Sequence, residues 1–111
     1  MAMRRVTSPS VREPAPKTWS NCRVVGNQVF ISGMTAHDLE GRAVGGDSMY
    51  AQSMETFRKI RDLVTAAGGT MNDIVKVNIF VTDIREREEV WRARAEYFSG
   101  DFPCSTLVVQ L

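Results

Sequence analysis

The stretch Asp73-Ile74-Val75-Lys76-Val77-Asn78-Ile79-Phe80-Val81-Thr82 limits what this chain can become more than any other. Its period of two puts Val75, Val77, Ile79 and Val81 on one face and Lys76, Asn78, Phe80 and Thr82 on the other, which predicts a strand. Helix-like stretches precede and follow it, so its apolar face is the expected seat for two helices. The other face mixes Lys76 and Asn78 with Phe80. That composition suits neither a dry core nor a plain wet surface, and fits contact with another subunit or a ligand.

A length of 111 residues leaves room for one domain and one core. Lys plus Arg number 14 against 13 Asp plus Glu, so no chain-wide attraction to nucleic acid or anionic membrane is implied. No apolar run approaches the roughly 20 residues that span a bilayer. Arg4-Arg5 is followed by polar Thr-Ser-Pro-Ser rather than an apolar leader. The expected location is the cytoplasm, and Cys22 and Cys104 are read as thiols.

Residues 1 to 18 hold Pro9, Pro14 and Pro16, which predicts an extended arm, with Arg5-Val6-Thr7 open to pairing as an edge strand. Residues 19 to 111 read as a single domain. Cys22 to Val25 and Gln28 to Gly33 flank Gly26-Asn27, a hairpin signature. The glycine-rich segment from Met34 to Asp47 is loop. Ser48 or Asp47 caps a helix whose Tyr50, Met54, Phe57, Ile60, Val64 and Ala67 recur at three- and four-residue steps, and Gly68-Gly69 ends it. Asp83 and Glu86 have capping-box spacing before a second helix, with Ile84, Val90, Ala93 and Tyr97 facing inward and Glu88 paired to Arg92. Ser105 to Leu111 is a final strand. The order β-β-β-α-β-α-β gives an α+β fold with both helices on one face of the sheet.

Gly26-Asn27-Gln28-Val29-Phe30-Ile31-Ser32-Gly33, Gln52, Ala66-Ala67-Gly68-Gly69 with Asp73-Ile74-Val75-Lys76, and Tyr97-Phe98 ahead of Phe102-Pro103 together resemble the YjgF/YER057c/UK114 (RidA) family. The resemblance runs from about Val6 onward. It implies a chorismate-mutase-like sheet and a homotrimer with a central β-barrel, into which Lys76 and Asn78 would point. It also implies a small organic metabolite in a cleft between subunits, and a closing C-terminal strand that this sequence lacks. Active members hydrolyse reactive imines and enamines to keto acids and ammonia, an enamine/imine deaminase activity. In them an arginine two residues after the proline matching Pro103 pairs with the substrate carboxylate. Ser105 stands at that position, so the resemblance implies a divergent member lacking that arginine. Trp19 matches a position that is commonly tyrosine, Leu107 one that is often cysteine, and Trp91 one that is commonly asparagine; Ser32 matches the family's cleft serine. The glutamate that holds the attacking water would lie on the closing strand, so no residue is assigned as catalytic.

The expected substrate-binding set is therefore Ser32, Ser105, Trp19, Trp91 and Cys104. Each has a plainer reading. Ser105 and Thr106 can serve as local hydrogen-bonding residues at a strand start, Cys104 as a small apolar residue, and the two tryptophans as packing at subunit contacts. Arg23 or Lys76 is a candidate for the cation that Ser105 cannot supply, and otherwise a solvated charge. His37, the only histidine, sits in the glycine-rich loop and is read as solvated; no metal site and no cofactor are expected. The run from Arg85 to Arg94 reads as a solvated helix face, and nucleic acid as an unlikely partner. Three functions remain: an imine or enamine hydrolase, a non-catalytic small-molecule-binding or regulatory trimer, and an endoribonuclease or translation inhibitor.

Overall fold

The computed structural model describes residues 2–110. Five strands, β1 (Met3–Arg5), β2 (Cys22–Val25), β3 (Gln28–Ile31), β4 (Lys76–Val81) and β5 (Cys104–Val109), alternate with two helices, α1 (Met49–Ala66) and α2 (Arg87–Tyr97), in the expected order. The strands form two separate ladders: an antiparallel β1-β2-β3 sheet and a parallel β4-β5 pair. Val25 pairs with Gln28, so Gly26 and Asn27 make a two-residue turn in which Gly26 takes φ 59°.

Helix α1 is the element both halves share. Ser48 Oγ accepts the amide of Ala51 at 3.0 Å and closes its first turn, while Gly68, at φ 96°, ends it. One flank carries the expected stripe: Phe57 packs with Met71, Ala93 and Phe98, bordered by Tyr50, Met54, Ile60 and Tyr97. The other flank buries Leu63 against Val6, Val11, Cys22 and Val24. The proline-bearing N-terminal segment thus contributes core residues as well as an edge strand, and α1 is buried on two sides.

Local details differ from the pattern reading. Val75 is 78% exposed because the chain forms a 3-10 turn at Met71–Asp73 and pairs only from Lys76. Asp83 accepts the Arg85 amide at 3.0 Å and opens a second 3-10 turn, Ile84–Glu86, ahead of α2. On α2 the ion pair is Glu89 with Arg92 at 2.6 Å, an i,i+3 contact, rather than Glu88 with Arg92. Lys76, Asn78 and Phe80 are exposed on the face of β4 away from the helices, with Phe80 63% accessible.

Candidate functional site

Parallel register decides what faces what. Val77 lies beside Ser105 and Lys76 beside Cys104, so Ser105 shares the helix-facing side with Val77, and Cys104 shares the exposed side with Lys76 and Asn78. Helix α2 crosses the Ser105 side. Arg94 Nη1 donates to Ser105 Oγ at 3.1 Å, and the Arg94 guanidinium carbon lies 6.0 Å from the centre of the Trp91 ring. Arg87, one turn earlier, approaches the same ring at 5.8 Å. Steps of three and four residues put Arg87, Trp91 and Arg94 on one helix face.

Arg94 was expected on a solvated helix face. It is half-buried instead, and its Nε is buried with no hydrogen-bond partner among the described residues. Neither expected substitute cation reaches Ser105: Lys76 Nζ donates to Thr106 Oγ1 at 2.6 Å on the opposite face, and Arg23 lies on the β2-β3 hairpin near Met3. The corner therefore offers a guanidinium, an aromatic face and a hydroxyl. A planar carboxylate is the group these bind together.

The other expected site residues lie elsewhere in the chain. Ser32 Oγ donates to the Ser20 carbonyl at 2.6 Å and its amide to the Asn21 carbonyl at 2.9 Å. It lines a cavity of about 1530 Å³ bounded by β3, β4 and α1. Strands β3 and β4 each have a ladder partner on one side only. Trp19 is 57% exposed, and its indole N–H donates to Asn21 Oδ1 at 3.1 Å. It lines a second cavity, about 330 Å³, with Arg12, Asn21, His37, Asp38 and Lys59. One chain thus places Ser105 with Trp91, and Trp19 close in sequence to Ser32; Cys104 is exposed on the other side of β5.

Lys59 went unnoticed in the sequence because it lies off the apolar stripe of α1. Only 7% of it is exposed, and its Nζ donates to the Thr35 carbonyl at 2.8 Å. Burial pushes its ammonium below the ordinary lysine range, with Glu55 opposing and Arg58 adding to the shift. Burial likewise raises the Cys22 thiol, against the pull of Arg4. Among the described residues, no three His, Cys, Asp or Glu side chains cluster as a metal would require. No helix among the described residues is long and apolar enough to cross a membrane.

The sequence matches the family model described as Endoribonuclease L-PSP over residues 11–110. Among solved structures, a protein of unknown function from Pseudomonas aeruginosa is 35% identical, with a TM-score of 0.85 over 98% of this chain and 80% of that one. RidA from the Antarctic bacterium Psychrobacter is 28% identical, with a TM-score of 0.83 over 95% of this chain and 84% of its own. A protein of the conserved Rid family from Yersinia pestis, of unknown function, is 25% identical, with a TM-score of 0.88 over 98% and 86%.

Proposed function

Because the chain belongs to the endoribonuclease L-PSP family, the YjgF/RidA group its sequence resembles, we propose that it binds a small imine- or enamine-bearing carboxylate between copies of itself and hydrolyses it. The observation that carries this reading is Arg94 at Ser105. Where active relatives of this kind place an arginine on the strand, this chain has Ser105 and brings a guanidinium to it from the neighbouring helix. The carboxylate would sit on Arg94, its planar π-system against Trp91. Water then adds to the C=N carbon to give a carbinolamine, and loss of ammonia leaves the 2-oxo acid. Ser32 and Trp19 of an adjacent copy would form the facing wall. The cavity between the single-sided edges of β3 and β4 is where the closing strand implied by the resemblance would pair.

Generating 2-iminopropionate or 2-iminobutyrate in situ and following 2-oxo acid release tests the reading. We expect turnover, with Arg94→Gln raising KM about 10- to 100-fold, the value of a charged hydrogen-bonded pair. Turnover indifferent to Arg94→Gln would remove Arg94 from the site. One observation favours a binding-only trimer instead: among the described residues, no carboxylate or imidazole is hydrogen-bonded to Arg94 or Ser105 to act on a proton. Saturable binding of a 2-oxo acid without any imine turnover would select that alternative. RNA cleavage abolished by Arg94→Gln would support the ribonuclease reading, which the balanced charge of α2 disfavours.

A further inference from the structure

The smaller cavity has an electrostatic imbalance that the cleft proposal does not use. Its two carboxylates are already engaged: Glu13 accepts from Arg5 at 2.6 Å and from Asn21 Nδ2 at 3.3 Å. Asp38 accepts the backbone amides of Glu40 and Arg42 at 3.0 and 2.9 Å and the Arg42 side chain at 3.1 Å. His37 Nδ1 is paired with the Thr35 hydroxyl at 2.8 Å. Glu55, one turn before Lys59 on α1, is held by Arg58 at 2.6 Å.

The two lining cations are not neutralised. Lys59 has three donors and a single neutral acceptor, the Thr35 carbonyl. Arg12, among the described residues, makes no side-chain hydrogen bond or ion pair. Its guanidinium lies over Gly41, where an added Cβ would fall 2.0 Å from Nη1. A buried ammonium whose carboxylate neighbour, Glu55, is already held by Arg58 is costly to keep, and an anion entering the pocket relieves that cost. The remaining wall is partly apolar, with Pro14, Ala15, Trp19 and Met34 beside the cations.

We propose that this pocket is an anion site for a small organic carboxylate, gripped by Lys59 from beneath and by Arg12 at the mouth, with the carbon chain against Trp19 and Met34. The site lies within one chain and does not depend on the intersubunit cleft or on imine chemistry. It adjoins that cleft at Trp19, and Gly33, Met34 and Thr35 line both this pocket and the larger cavity. Bare inorganic anions satisfy the cations and leave the apolar wall uncovered, so they bind more weakly than an organic acid.

The test is run in an Arg94→Gln background, so that the cleft cation is absent, with His37 and Lys59 as the reporters that belong to this pocket alone. Pyruvate, 2-oxobutyrate and inorganic phosphate are titrated while the Trp19 indole, His37 and Lys59 signals are followed by NMR. Saturable shifts with the oxo acids are expected, phosphate binding more weakly. Lys59→Met, which keeps the length of the stem without its charge, and Arg12→Gln at the exposed mouth should each weaken binding about 10-fold or more. If Lys59→Met fails to fold, Arg12→Gln still decides. Absence of saturable shifts, binding unchanged in the variants, or phosphate binding as tightly as the oxo acids would each overturn the proposal. None of these outcomes bears on imine turnover, which is read in the parent protein.

Discussion

Lys59 shows how one side chain couples stability to pH. Its folded-state pKa lies below the ordinary value of 10.5, chiefly because burial penalises the charge. Between the folded and unfolded values the unfolded chain holds the extra proton, so stability rises with pH across that window. Cys22 and Tyr97, both raised chiefly by burial, act in the opposite sense above their ordinary 9.0 and 10.0. A difference measurement separates them. Urea denaturation from about pH 7 to about pH 10 should show the advantage of Lys59→Met shrinking as pH rises; a gap independent of pH would mean the ammonium is not penalised by burial. Neither Lys59 nor Arg94 could be picked out in the sequence. Lys59 lies beside the three-and-four stripe, and its burial depends on the N-terminal segment and the 33–41 loop folding over it. Arg94 sits in a run of alternating charges, and only the crossing of α2 over β5 brings it to Ser105. Ser105 was singled out only through the family resemblance, as the position where active members carry an arginine.

At the scale of elements, α1 carries the load between the two halves. Phe57 is 5% exposed and meets Phe98 edge-on at 5.9 Å and Tyr97 at 5.7 Å. Truncation to alanine removes both ring contacts and opens a cavity between the helices. Phe57→Ala should cost about 3–5 kcal/mol, lowering the melting temperature by at least about 12 °C for a domain of this size. A change near zero would mean that α1 does not pack against α2 as described. The helices, the hairpin and the two later strands were legible from period and turn chemistry, whereas the parallel pairing of β4 with β5 was not. What periodicity missed was the second buried flank of α1. Leu63 looks like an ordinary stripe neighbour until Val6 and Val11, in a segment full of prolines, are seen to cover it. The sequence order also does not say that β3 and β4 remain apart, since nothing local to either strand specifies its second neighbour.

For the molecule as a whole, the uncovered side of the β4-β5 pair is the feature that most needs a partner. Lys76, Asn78 and Phe80 share it with Cys104, Thr106 and Val108, all exposed. Three copies meeting through this surface would bury the rings and leave the polar groups to pair among themselves. Light scattering on the purified protein should give three times the 12.4 kDa chain mass, and Phe80→Asp should return it to single chains, since a carboxylate at the centre of such a contact is desolvated without a counter-charge. A monomeric parent protein would dispose of both the assembly and the intersubunit cleft. The trough between β3 and β4 has a separate practical meaning. Two strand edges, each with a ladder partner on one side only, over a largely apolar bed act as a mould for any stray extended polypeptide, including a half-unfolded sibling. Solutions of this chain should therefore cloud on concentration, and a lysine placed on either rim should keep them clear.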